Sequence, residues 1–123
     1  MMGSTSRRTE VVIRIARLLD EHRGEDTIAL DLGEMNSWTD YFVITTVRSA
    51  AHLAGLLGRL EEYFRENDIT PLNYNRRAPN DRWTLIDCGY FAVHLMEREI
   101  RDFYSLERLY FRGDVLYHSS KSS

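Results

Sequence analysis

A chain of 123 residues, 43% hydrophobic and 28% charged, is the size and composition of one globular domain burying roughly two-thirds of its unfolded surface. Its net charge of −3 argues against a general nucleic-acid binder, so no direct DNA binding is expected. No apolar run approaches the ~20 residues that span a bilayer, MMGSTSRR lacks the apolar core of a signal peptide, and the single Cys88 excludes an internal disulfide framework; a cytoplasmic protein without membrane contact is expected.

Residues 1–8 are polar and expected to be a flexible N-terminus, and residues 9–112 a single domain. Thr9 can cap a helix whose apolar positions Val11, Val12, Ile15, Leu18 and Leu19 recur at helical spacing, with Gly24 ending it. Thr27 to Leu32 follows as a strand, and Gly33 to Thr39 as a turn-like connection in which Trp38 plugs a core edge or meets a ligand. Asp40 to Thr46 is the most β-prone run, apolar on both faces, and suits a central strand covered on both sides. Ser49 caps a second helix with the buried stripe Leu53, Leu56, Leu57, Leu60 and Phe64, and Asn67-Asp68 stops it.

Ile69 to Asn75 can form a short strand, with Pro71 tolerated at its start. A polar loop, Arg76 to Asp81, leads into a hairpin from Trp83 to Met96. Beyond it, Ile100, Phe103, Tyr104, Leu106, Leu109 and Tyr110 lie among charges in a helical pattern that Gly113 breaks. Residues 113–123 read as a short C-terminal extension, partly disordered, with a scrap of strand at Val115 to Tyr117. The element order gives an α/β (α+β mixed) fold: a mixed sheet of about five strands with flanking helices.

The hairpin is the most informative stretch. A two-residue loop at Cys88-Gly89, with Gly tolerating positive φ, predicts Asp87 opposite Tyr90 and Trp83 opposite His94. One face then carries Thr84, Ile86, Cys88, Phe91, Val93 and Leu95, which has the character of core. The other carries Trp83, Leu85, Asp87, Tyr90, Ala92, His94 and Met96, a mixture of anchors and oriented polar groups suited to gripping a protein. The plainer alternative is that helices cover this face too, with Asp87 and His94 satisfied inside the fold.

Chemistry is hard to find. There is no glycine-rich phosphate loop and no nucleophile elbow, and the four histidines (22, 52, 94, 118) have no metal-ligand spacing, so no metal or cofactor is expected. Asp31, Asp40 and Asp87 each fall near a strand end, where a metal-dependent transferase places carboxylates or where a turn is simply closed. Tyr74, Arg76, Arg77, Arg82 and Trp83 interleave aromatics with guanidiniums as single-strand RNA binders do, or form an ordinary solvated loop. Residues 25–68 hold nine acids against three arginines, which favours a basic partner or merely keeps the surface soluble.

Several segments together resemble the ribosomal silencing factor RsfS, or Iojap, family: DTIALDL, TDYFVITT with Ser49 and a helix, W-T-L-I-D-C-G, the Val93-His94 pair, and RDFYSLERLY. The resemblance covers roughly residues 11–110. It implies a non-enzymatic protein, related in fold to nucleotidyltransferases without their catalytic signature. Such a protein binds a large-subunit ribosomal protein, number fourteen, and obstructs joining of the small subunit to repress translation. Carried over by position, the family's motifs fall on Trp83, Leu85, Asp87 and Gly89, on Val93 and His94, and on Phe103, Tyr104, Leu106, Glu107, Leu109 and Tyr110. The family's usual T-G-x-S turn is Thr46, Val47, Arg48, Ser49 here; Asn75 stands in the region of a Glu-Gly pair, and Tyr90 replaces an Asp.

The resemblance makes the mixed hairpin face the expected docking surface. Trp83, Leu85 and Met96 would give apolar contact, Asp87 and Glu107 would pair with basic side chains, and His94 and Tyr104 would orient the contact. A homodimer off the ribosome is compatible with an exposed sheet edge.

Overall fold

The computed structural model describes residues 3–33, 39–76, 82–104 and 113–119. Its elements in chain order are α1 (Gly3–Glu21), β1 (Glu25–Asp31), β2 (Tyr41–Val47), α2 (Ala50–Glu66), β3 (Asn73–Arg76), β4 (Trp83–Asp87), β5 (Phe91–Glu97), α3 (Arg98–Tyr104) and β6 (Asp114–His118). They build one sheet in the order β3-β4-β5-β2-β1-β6. Only the β2–β5 pair is parallel among these ladders. Every residue of β2 is buried, as expected of a run apolar on both faces.

The sheet has six strands where about five are expected from the pattern. The sixth is β6, which pairs antiparallel with β1 and so makes part of the C-terminal segment an edge of the domain. Beyond it, Ser119 donates its backbone N–H to Thr27 O at 2.8 Å, while Thr27 N–H donates to Ser119 Oγ at 3.1 Å. An edge strand half open to water, with Val115 52% exposed, gives little hydrophobic alternation to read.

Two apolar layers sandwich the sheet. On one side, Val12, Ile15, Ala16 and Leu19 of α1 and Leu53, Leu56, Leu60 and Phe64 of α2 pack on Val43, Ile86, Phe91, Val93 and Leu95. On the other, Ile28, Leu30, Phe42, Ile44, Trp83, Leu85, Ala92 and Met96 form a second cluster, against which Ile100 of α3 packs.

Local chemistry sets the element ends. α1 begins at Gly3 rather than at Thr9, so the polar N-terminal residues continue an amphipathic helix; the Thr9 hydroxyl lies 3.2 Å from that of Tyr41 instead of capping. Gly24 follows where the chain passes close to the sheet: a Cβ there would stand 2.3 Å from Thr45 Oγ1 and 2.9 Å from Leu19 O. Ser49 caps α2 by accepting the His52 N–H at 3.0 Å. At the far end Asp68 takes the left-handed conformation (φ 57°), and Ile69 N–H reaches back to Phe64 O at 2.8 Å. That six-to-one bond closes the helix and occupies Ile69, so β3 starts only at Asn73.

The hairpin turn is displaced from its expected place. Cys88 N–H donates to Phe91 O at 2.9 Å, so Gly89 and Tyr90 are the central residues, with Gly89 at φ 92°. Trp83 therefore lies opposite Met96, Leu85 opposite His94 and Asp87 opposite Ala92. Gly as the first central residue suits a type II′ turn, which follows the strand twist better than a loop one residue earlier. The slip is by two residues, so each side chain keeps its face. Tyr90 alone leaves the set, entering the turn.

Candidate functional site

Trp83, Leu85, His94 and Met96 lie together on the second face, but not exposed. Their fractional exposures are 8%, 3%, 4% and 0%. The expectation of a hairpin face open to a partner is corrected for these four: they are core of the second apolar layer, as the alternative of a covered face allows. The sequence contains the face but not its cover, because alternation reports which residues cluster, not what lies over them.

Within that layer the aromatic groups are ordered. Trp83 Nε1–H donates to His94 Nδ1 at 3.1 Å, which leaves the neutral imidazole's proton on Nε2. The His94 ring stands edge-on to Phe42, centroids 4.6 Å apart. Over Trp83 lies Tyr104 of α3, 4.8 Å between ring centroids, and Phe103 sits 5.0 Å from Tyr104 at 81°. Tyr104 is 48% exposed and Phe103 78%. Solvent thus meets Phe103 and Tyr104, with Trp83 backing Tyr104.

A helix of seven residues is too short to hold itself. Arg101, buried, donates through Nη1 to Asp26 O and to Thr46 Oγ1, both at 2.8 Å. Arg98 pairs with the Asp26 carboxylate. At the hairpin's open end Arg82 bridges Glu97 and Glu99, each at 2.8 Å. These contacts pin α3 to the ends of β1, β2 and β5, and Ile100 adds apolar anchorage. Arg101 escaped the sequence reading, since nothing in a run of alternating charges distinguishes the one guanidinium that turns inward. Phe103 was visible as an apolar position of the helical pattern and in the family motif, but not as an exposed one.

Asp87 sits apart from this cluster. Four residues along β4 place it about 13 Å from Trp83. Its carboxylate accepts the Gly89 N–H at 2.9 Å and shapes the turn. Asp31 does the same for Gly33 at 2.9 Å. Two of the three strand-end carboxylates are therefore turn formers, and among the described residues no group of three or more His, Cys, Asp or Glu is placed to hold a metal. Burial, aided by the Asp87 charge, pushes the Cys88 thiol up to about 12, which makes it a poor nucleophile. The proposed RNA track through Trp83 loses its ring to the core. Glu107, Trp38 and Arg77 lie outside the described residues.

Comparison with known families matches residues 5–122 to the family described as "Ribosomal silencing factor during starvation". The chain belongs to this family. Ribosomal silencing factor RsfS of Bacillus subtilis is 30% identical over 100 residues, covering 81% of this chain and 82% of that protein. The mouse protein named "Mitochondrial assembly of ribosomal large subunit protein 1" is 28% identical over 98 residues, covering 78% of this chain but 43% of its own length. A crystal structure from Chromobacterium violaceum has the same fold, with a TM-score of 0.73 at 22% identity and 85% of each chain covered. Membership in RsfS makes the ribosome the partner and translation the process regulated. It also agrees with the mixed α/β sheet expected from the sequence. No helix among the described residues is long and apolar enough to cross a membrane.

Proposed function

We propose that this RsfS-family chain binds the large ribosomal subunit through ribosomal protein number fourteen and, by its bulk, keeps the small subunit from joining. It acts as a cytoplasmic translation repressor and not as an enzyme. The observation that carries the assignment of the surface is the exposed pair Phe103 and Tyr104, Tyr104 held over Trp83 by a helix that buried Arg101 ties to the sheet. Rigid aromatic groups at the surface are efficient anchors, because little side-chain entropy is lost when they are covered.

In this arrangement Tyr104 makes direct contact, while Trp83, Leu85, His94 and Met96 set its height and angle from beneath. Asp87 and Glu107 supply carboxylates for a basic partner, Asp87 from the far end of the hairpin. An interface of about 1,600 Å² suffices for stable binding. Off the ribosome, two copies would pair through the exposed aromatics or an edge strand.

Co-sedimentation with isolated large subunits tests the proposal. Tyr104→Ala, which removes an exposed ring, should weaken binding by ~2–4 kcal/mol, roughly 30- to 1,000-fold. Asp87→Lys should weaken it through charge repulsion. Unchanged binding by folded Tyr104→Ala would remove this surface from the proposal. A magnesium- and nucleotide-dependent rise in melting temperature would instead favour a transferase.

A further inference from the structure

The helices on the opposite side of the sheet leave a groove of about 460 Å³ between the first half of α1, the end of α2 and the β4–β5 turn. Arg7, Arg8, Glu10 and Arg14 line it together with Tyr63 and Tyr90. Three guanidiniums against one carboxylate give a local charge of +2 in a chain whose net charge is −3. We propose that this groove is a second binding site, which takes the phosphodiester backbone of an unpaired RNA strand.

Three observations support this ligand, and the first two favour RNA over other anions. First, the basic track continues: a neighbouring depression of about 520 Å³ shares Glu10 and Arg14 and adds Arg17. Arg7 to Arg17 spans about 15 Å of helix, room for roughly four stacked nucleotides at 3.4 Å each, where a free phosphate would need one arginine pair. Second, Arg8 lies over the Tyr90 ring at 4.6 Å. That stack orients a guanidinium plane on which a base can lie, and a run of acidic residues alone has no ring to use it. Third, burial raises the Tyr63 and Tyr90 hydroxyls above their ordinary range despite the nearby Arg14 and Arg8. Both stay protonated and can donate to a phosphate oxygen.

Glu10 opposes this charge, and it pairs with Arg14 at 3.2 Å. Both side chains are more than half exposed, so a phosphate can take the guanidinium at small cost. The groove faces away from α3, which leaves the protein-docking surface unobstructed. The inference stands on the groove's charge and geometry and does not require the docking proposal.

The experiment is fluorescence anisotropy of the full chain with a labelled decauridylate, which involves no ribosome. Phosphate contacts at Arg7, Arg14 and Arg17 predict a slope of log K against log salt of about −2, falling to about −1.4 in Arg7→Ala/Arg8→Ala, which should also bind at least tenfold more weakly because the stacking guanidinium is lost with it. Tyr90→Ala should weaken binding roughly tenfold at unchanged salt slope. Arg7 and Arg8 are exposed, so melting temperature should fall only slightly in their variant, through loss of the Arg8–Tyr90 stack. Salt-independent binding, full binding by the double variant, or equal competition by poly-glutamate of matched charge would overturn the assignment. Displacement by inorganic phosphate at an equal phosphate concentration would overturn it too, by showing a free-anion site.

Discussion

Trp83 joins three groups at once: it donates to His94, packs in the second apolar layer, and carries Tyr104 above it. Its truncation therefore acts on stability before it acts on binding. Trp83→Ala should cost about 3–5 kcal/mol of unfolding free energy. Trp83→Phe keeps most of the packing but leaves His94 Nδ1 without its donor, which should cost about 1–3 kcal/mol. Urea denaturation of both variants checks this, and a Trp83→Phe variant as stable as the parent would deny the hydrogen bond any part. Two other residues contribute most to the alkaline limb. Cys88 and Tyr117 both rise to about 12, Cys88 through burial and then the Asp87 charge, Tyr117 through burial and then its hydrogen bond to Asp20. A raised acid pKa means the unfolded chain ionises first, so their contribution is whole below about pH 9 and is lost toward about pH 12. Stability measured across that range should fall, and less steeply in Cys88→Ala. At neutral pH the folded thiol should be alkylated more slowly than in the unfolded chain, because little of it is thiolate.

At the scale of elements, α3 is the piece most dependent on a single side chain. With Arg101→Met the apolar stem is roughly kept while the bonds to Asp26 O and Thr46 Oγ1 disappear. Amide exchange across residues 98–104 should then quicken more than across β2 or β5, whose protection comes from the buried ladder. Uniform acceleration throughout the sheet would mean instead that α3 and the core open together. The same element shows where sequence reading ends. The stripes of α1 and α2 and the buried run of β2 were legible because each repeats with the period of its own structure. The hairpin was legible in its faces but not its register, since Gly89 can serve either turn and a slip of two preserves alternation. Whether the Trp83 face met water depended on α3, whose docking rests on a buried Arg101 inside a charged run, and no periodicity marks it.

For the whole molecule, the sheet separates two surfaces of different character. One presents aromatic residues on α3, and the other carries the arginines of α1 beside tyrosine walls. The mixed fold followed from the order of elements, and the family was legible in motifs spread over most of the chain. The groove was not, because Arg7, Arg8 and Arg14 come together with Tyr63 and Tyr90 only after the helices pack. Each surface has its own expected losses: Tyr104→Ala should impair binding to large subunits, while Arg7→Ala/Arg8→Ala should impair binding to single-stranded RNA. The most direct measurement of the central claim is sucrose-gradient sedimentation of purified large and small subunits with and without the chain. The account predicts that the chain travels with the large subunit and lowers the yield of joined ribosomes, and that Tyr104→Ala needs much higher concentrations to do either. Full joining in the presence of saturating, subunit-bound chain would contradict it.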